Sequence, residues 1–148
     1  MKTSEPPVII EQTFSHRIDV VWKAITDITW MRQWYFENIP DFKPEIGFET
    51  RFEVQSGARN FPHLWKVTGV IQNKLIKYNW RYDGYAGDSF VVFELFERNS
   101  STLLRLSVIV EEDFADDIPE FTRESCLQGW TYLIKERLAA FLNKVKVD

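Results

Sequence analysis

The end of the chain, from Asp117 to Val145, has the hydrophobic pattern of one long amphipathic helix. Its apolar residues recur at steps of three and four, and Leu133 and Leu142 widen this stripe. The stripe consists of Leu127, Trp130, Ile134, Leu138, Phe141 and Val145. The polar side carries Gln128, Lys135, Asn143 and Lys146. Because one helix cannot bury such a stripe on itself, the upstream chain should form the surface on which it lies.

The start of this helix also has a sequence signal. Asp117 followed by Glu120 has the form of a capping box, and Pro119 is tolerated in the first turn. The pattern therefore predicts that the helix begins at Asp117.

Upstream, apolar and polar residues alternate with a period of two, which is typical of half-buried strands. Strands are predicted at residues 8–14, 48–55, 64–71, 75–82, 90–97 and 102–111. Two short helices are predicted after the first strand, one following Ser15 to about Thr26 and one capped by Asp27. Residues 56–62 and 83–88 are interpreted as loops, and residues 1–7 as a loose N-terminal tail.

This order of elements favours an α+β fold with an antiparallel sheet. A sheet of about six strands would curl, and the C-terminal helix would lie across its concave side. No repeat or change of composition marks a boundary, so residues 1–148 are predicted to form a single domain.

The strands at 90–97 and 102–111 are partly apolar on both faces, through residues such as Phe90, Val92 and Ile109. Two interpretations remain open. These residues are either ordinary exposed apolar surface or a pairing face for a second copy of the chain in a homodimer.

Composition and charge narrow the function classes. The net charge of −4 argues against nucleic acid or an anionic membrane surface as partner. No apolar run approaches the roughly 18 residues that a spanning helix needs, and MKTSEPP lacks the apolar segment of a signal peptide. The single Cys126 cannot form an internal disulfide. Together these features predict a cytoplasmic protein without membrane insertion.

The sequence contains no pattern that assigns catalysis, a metal or a cofactor. There is no phosphate-binding glycine loop and no nucleophile elbow. His16 and His63 are not spaced as metal ligands from one helix, and Cys126 is interpreted as an inert thiol. The acidic residues from Glu111 to Asp117 lack the alternate spacing and central glycine of a calcium loop.

Aromatic residues supply the candidate site. Six Trp, five Tyr and twelve Phe indicate either an aromatic-rich packed core or an aromatic-lined cavity. Strand parity and helical phase place a set of them, with Leu133, on faces that can meet. The candidate ligand-binding residues are Trp30, Trp34, Phe48, Phe52, Trp65, Tyr78, Trp80, Phe93, Trp130 and Leu133. Polar groups available to orient a ligand, inside or at the rim, are His63, Arg51, Arg81 and Tyr82.

Several motifs carry a family resemblance. The segment FSHRIDVVWKAITDITWMRQW, from Phe14 to Trp34, resembles the opening of single-domain proteins related to the C-terminal domain of the activator of Hsp90 ATPase. These proteins belong to the START/Bet v 1-like superfamily. The turn at residues 45–48, the strands at 76–80 and 102–106, and Gly129-Trp130 also resemble the family pattern in the expected order.

The resemblance implies a helix-grip fold, in which a curved antiparallel sheet holds a long C-terminal helix with a cavity between them. It does not imply one function, because the superfamily hosts lipid carriers, hormone receptors, cyclases, dehydratases and co-chaperones. The co-chaperone's separate N-terminal domain is not present here, which argues against Hsp90 ATPase stimulation. Some relatives have a histidine where this chain has Val108, which argues against acid/base chemistry in the cavity.

Three hypotheses follow. The first is a non-catalytic protein that encloses a small hydrophobic or aromatic ligand between Trp130 and Leu133 of the helix and the sheet residues Phe52, Trp80 and Phe93. The second is an enzyme of the cyclase or dehydratase kind with a buried acid or base, and a buried, perturbed His63 or carboxylate on the cavity wall would favour it. The third is an interaction module for an Hsp90-type chaperone.

Overall fold

The computed structural model describes residues 1–145 of the chain. Strands and helices follow one another in an order that matches the predicted one. The elements are β1 Val8–Phe14, α1 Ile18–Thr26, α2 Ile28–Trp34, β2 Glu49–Ser56, β3 Arg59–Ile71, β4 Leu75–Tyr82, β5 Asp88–Arg98, β6 Ser101–Glu112, a 3₁₀ turn at Pro119–Phe121, α3 Arg123–Thr131, a π-helical segment Tyr132–Leu138 and α4 Ala139–Lys144. We call the run from Arg123 to Lys144 the C-terminal helix.

The six strands form one antiparallel sheet in the order β1-β6-β5-β4-β3-β2. Alternate residues of β6 are buried, from Thr102 to Val108, and the same alternation holds in β4 from Ile76 to Trp80. The pairing of β3 with β4 shifts register between Val67 and Gly69, and such a bulge bends a strand. The curved sheet and the C-terminal helix confirm the α+β helix-grip fold.

The C-terminal helix begins later than the sequence pattern suggests. The Thr122 hydroxyl accepts a hydrogen bond from the Ser125 amide at 3.2 Å, whereas Pro119–Phe121 forms a separate 3₁₀ turn. The predicted capping box at Asp117 and Glu120 is therefore wrong. Glu120 instead accepts a hydrogen bond from the Ser56 hydroxyl.

The middle of the C-terminal helix is π-helical at Tyr132–Leu138. Four residues of an α-helix overshoot one full turn by about 40°. In a continuous α-helix, side chains four residues apart would therefore turn progressively away from the sheet. The wider i→i+5 turns of the π segment compensate, so that Trp130, Ile134, Leu138 and Leu142 all remain buried.

This spacing changes the membership of the apolar stripe. Leu127, which the three-and-four pattern includes, is 43% exposed. Cys126, four residues before Trp130, takes its place beside the core. The prediction for Leu127 is therefore wrong, because the buried side recurs at steps of four. Lys146, expected on the polar side, lies outside the described residues.

Two segments interpreted as irregular are ordered. Residues 56–62 belong largely to a tight hairpin, in which Ser56 pairs with Arg59 and Gly57 adopts a φ of +61°. The N-terminal segment 1–7 is anchored and does not form the loose tail expected. For example, the Thr3 amide donates to the Asp113 carboxylate at 2.7 Å and the Phe114 amide to the Met1 carbonyl at 2.9 Å.

Large rings fill most of the space between the sheet and the helices. Trp34 and Tyr35 stack with their centroids 4.6 Å apart, and Tyr35 also packs against Trp65 at 5.1 Å. The hydroxyls of Tyr35 and Tyr78 form a buried hydrogen bond of 2.8 Å. Burial raises the pKa of both phenols, so both remain neutral. This half of the interior is a solid aromatic core.

The outward face of β5 and β6 carries the apolar residues considered for pairing. Cationic side chains cover part of it, since Lys77 lies 4.4 Å from the Phe90 ring centroid and Arg105 lies 4.9 Å from that of Phe96. Formation of a homodimer through this face stays a prediction. Among the described residues, no helix combines the length and apolar character needed to cross a bilayer.

We predict that Thr122→Ala lowers the free energy of unfolding by about 1 kcal/mol, because it removes the N-cap acceptor of the C-terminal helix. Urea denaturation measures this change. Asp117→Ala is the matched control and should change stability little, because Asp117 is exposed and precedes the 3₁₀ turn. Equal losses in both variants would contradict the assignment of the cap.

We predict that Tyr78→Phe destabilises the protein by about 1–3 kcal/mol, because it leaves the buried Tyr35 hydroxyl without a partner. The double variant Tyr35→Phe/Tyr78→Phe should lose less than the two single variants together. A denaturation-based double-mutant cycle measures this coupling. Strictly additive losses would show that the two hydroxyls do not interact.

Candidate functional site

Beside the solid core, a cavity of about 230 Å³ lies between the C-terminal helix and the concave face of the sheet. Trp80 of β4 and Trp130 of the helix meet edge to face at its wall, with ring centroids 5.5 Å apart. Most of the other lining residues are apolar. The lining residues are Met1, Phe36, Val54, Ser56, Phe61, His63, Trp80, Tyr82, Ser89, Val91, Val108, Phe114, Glu120, Ser125, Cys126, Gly129, Trp130 and Leu133.

A second aromatic cluster closes one end of the cavity. Phe61 and Phe114 pack against Phe121, with centroid distances of 5.3 and 5.4 Å. Gly87 has a φ of +120°, and a Cβ there would lie 2.3 Å from the Phe114 ring. Only glycine suits this position, and the close approach of the loop holds Phe114 against the cavity.

His63 is the titratable base on the cavity wall. It is 5% exposed, and its Nδ1–H donates to the Phe61 carbonyl at 2.9 Å. This bond sets the tautomer, so Nε2 carries a lone pair. Nε2 has no hydrogen-bond partner among the described residues. Burial lowers the pKa of His63 to about 4, so the ring is a neutral acceptor at physiological pH.

Trp80 contributes a donor to the same wall. Its side chain is 7% exposed, and its indole Nε1–H has no hydrogen-bond partner within the described chain. This N–H lies near the Tyr82 hydroxyl and partly offsets the rise that burial causes in the pKa of that phenol. The pair does not reach hydrogen-bond geometry. A buried donor left unpaired costs about 1–3 kcal/mol. The cavity therefore holds polar atoms that a bound molecule could satisfy.

The other ionisable side chains inside the cavity are neutral. Burial raises the pKa of the Cys126 thiol to about 11 and raises that of the Tyr82 phenol, so both stay protonated. Glu120 lies at the rim, where the hydrogen bond from Ser56 lowers the pKa of its carboxyl. Across residues 1–145, no lysine or arginine lines the cavity, but the α-ammonium of Met1 lies at its lining and donates to the Phe121 carbonyl. No cluster of three metal-ligating side chains forms among the described residues.

Gly129 forms a notch in the helix wall. Ser125, Gly129 and Leu133 are four residues apart and form one ridge along the cavity. Gly129 is exposed, and a Cβ added to it would meet no atom within 4 Å. Glycine in a helix interior costs up to about 1 kcal/mol relative to alanine, and no packing contact explains it here. The missing side chain leaves the cavity open to solvent.

The structure divides the ten residues predicted to bind ligand into three groups. Trp80, Trp130 and Leu133 line the cavity together. The members that pack in the solid core behind it are Trp34, Phe52, Trp65, Tyr78 and Phe93. Two lie at the edge of this core: Phe48 contacts Phe42 at 5.9 Å, and Trp30 contacts Phe141 at 5.3 Å beside a charged, open groove on the outer side of the C-terminal helix.

The polar candidates also separate. His63 and Tyr82 reach the cavity, whereas Arg51 pairs with Asp83 on the surface at 2.8 Å and Arg81 is exposed. Sequence reasoning missed several lining residues. Strand parity already places Val91 and Val108 on the inner face, so the sequence alone could have identified them. Phe114 and Gly129 carry no such signal, because a loop and a missing side chain have no periodicity.

Solved structures share this architecture. DynU16, described as a protein in the dynemicin biosynthetic locus, superposes with a TM-score of 0.76 at 20% identity, covering 95% of this chain and 48% of its own. Mll3558 from Rhizobium loti gives 0.79 at 18% identity, covering 92% and 96% of the two chains. CV1439 from Chromobacterium violaceum gives 0.78 at 18% identity, covering 94% and 98%.

This chain thus spans about half the length of DynU16 and nearly the full length of the other two proteins. At these identities the similarity establishes the fold alone. No curated protein shows a significant sequence match to the chain.

The sequence itself identifies the family. The sequence model described as "Activator of Hsp90 ATPase homolog 1-like protein" matches residues 15–143. This match includes α1, α2, five of the six strands and nearly all of the C-terminal helix. The chain therefore belongs to the family of Activator of Hsp90 ATPase homolog 1-like proteins.

Proposed function

We propose that this protein binds a small hydrophobic or aromatic molecule, without chemical conversion, in the cavity under its C-terminal helix. The observation that carries the proposal is an apolar-walled space with unpaired polar atoms in an otherwise tightly packed interior. Protein interiors are close-packed, and voids of this size are few in a domain. The rigid rings of Trp80 and Trp130, in edge-to-face contact, form part of the cavity wall.

The volume limits the size of the ligand. An apolar cavity of about 150 Å³ accommodates benzene, and pockets for drug-sized molecules begin at about 300 Å³. At about 230 Å³, this cavity suits a molecule of one or two fused rings. A long lipid chain would exceed it.

An acid/base enzyme is the second candidate, and buried His63 on the cavity wall is the observation that favours it. The weak basicity of His63 argues against this candidate. A fall in pKa from 6.5 to about 4 weakens proton binding by roughly 3 kcal/mol, whereas a general base works best with a pKa near the working pH. His63 is therefore better suited to accept a hydrogen bond than to remove a proton. Binding of an Hsp90-type chaperone stays a prediction.

We predict that naphthalene, a neutral two-ring probe, binds with a dissociation constant below about 1 mM, because it fills the apolar volume. Two-dimensional ¹⁵N–¹H spectra should show shifts of the indole N–H signals of Trp80 and Trp130. Trp30, on the outer groove, is the internal control and should not shift. If neither naphthalene nor toluene binds up to its limit of solubility, the proposal is overturned.

We predict that Gly129→Leu weakens naphthalene binding at least about tenfold, because leucine fills the notch between Ser125 and Leu133. The fold should not weaken, since leucine is a better helix former than glycine by up to about 1 kcal/mol. Isothermal titration calorimetry measures the affinity and urea denaturation the stability. Gln128→Leu is the matched control on the exposed neighbouring position, and equal weakening in both variants would contradict entry at Gly129.

We predict that His63 remains neutral down to about pH 5, and NMR titration of its ring signals measures this. Because burial lowers its folded pKa to about 4, the unfolded chain binds more protons between pH 6.5 and 4. The contribution of His63 to stability is therefore lost as pH falls through this range. His63→Gln should lose less stability over it than the unchanged protein. A midpoint near 6.5 would contradict the buried, neutral state.

A further inference from the structure

Two unpaired polar atoms of opposite character lie on the same cavity wall. His63 offers a lone pair at Nε2, because its Nδ1–H is already donated to the Phe61 carbonyl. Trp80 offers its indole N–H, which has no partner in residues 1–145. The two rings are on neighbouring strands with centroids 5.3 Å apart. The two rings are therefore close enough for one small group to lie beside both.

The chemistry of that group follows from the two requirements. A hydroxyl both donates and accepts, so a single oxygen can serve His63 and Trp80 at once. A carbonyl or ether oxygen can accept from Trp80 but leaves the His63 lone pair unsatisfied. A carboxylate would place negative charge against that lone pair.

Charge points to the same class of molecule. No lysine or arginine lines the cavity within the described part of the chain, and the Glu120 carboxylate is at its rim. The α-ammonium of Met1 also lies at the lining, but it already donates a hydrogen bond to the Phe121 carbonyl. An anion inside would have this occupied group as its cationic partner, so its burial is unfavourable. A neutral molecule avoids this cost.

We propose that the cavity selects a neutral compound of one or two rings bearing a hydroxyl group, whose O–H donates to His63 Nε2 and whose oxygen accepts from Trp80 Nε1–H. This inference rests on the proposed function and names the class of ligand for the same cavity. A bound water has the same donor and acceptor capacity. The experiment must therefore show that the hydroxyl of the ligand makes these contacts.

The experiment compares three probes of the same ring size by calorimetry at pH 7. Naphthol should bind about tenfold to a hundredfold more tightly than naphthalene, because it adds two neutral hydrogen bonds. Naphthoate should bind more weakly than naphthalene. Naphthol and naphthalene of equal affinity would overturn this inference and leave the proposed function standing. Absence of binding by all three would overturn both.

His63→Phe tests the acceptor separately from the volume, since phenylalanine keeps a ring at this position. Affinity for naphthol should fall by at least about threefold, because one of its two hydrogen bonds is lost while that from Trp80 remains, and affinity for naphthalene should change less than this. Unchanged selectivity in the variant would overturn the role of His63.

The unchanged protein provides a readout that does not depend on the folding of this variant. On addition of naphthol, the Trp80 indole ¹H signal should move downfield and the His63 Nε2 signal should move upfield, as expected when each enters a hydrogen bond. Naphthalene should cause neither of these paired shifts. The same shifts with both probes would mean that the hydroxyl does not make these contacts.

Discussion

The structure depends on how the C-terminal helix lies against the concave face of the sheet. Its buried residues recur every four positions, and the π segment at Tyr132–Leu138 keeps them directed at the sheet. At one end, Trp34, Tyr35 and Trp65 fill the interface completely. At the other end, the helix presents Gly129 and Cys126, and the interface remains open as the cavity. One helix therefore supports both a rigid core and a binding space.

Much of the fold was predictable because it rests on strong periodic signals. The alternation in β4, β5 and β6 identifies the strands and their inner faces. The π segment was not predictable in this way, because a spacing of four reads as an imperfect α-helical stripe, and Leu127 was misplaced as a result. The helix start was missed because Asp117 and Glu120 imitate a capping box, whereas the N-cap is Thr122.

The candidate site was predictable only in part. Parity and helical phase place Trp80, Trp130 and Leu133 toward the interior. They cannot distinguish rings that fill space, such as Phe93 and Trp65, from rings that border it. That distinction depends on three-dimensional packing. The polar character of the site depends on one hydrogen bond, from His63 Nδ1 to the Phe61 carbonyl, which no sequence pattern reports. Family membership establishes the fold, and the cavity supplies the argument for function.

A crystal structure of the protein grown with naphthol tests the central claim most directly. The account predicts density for a two-ring molecule in the cavity beside the Trp80–Trp130 pair, with its oxygen within hydrogen-bond distance of His63 Nε2 and Trp80 Nε1. Side chains that close the space, or a probe bound solely in the outer groove beside Trp30, would contradict it.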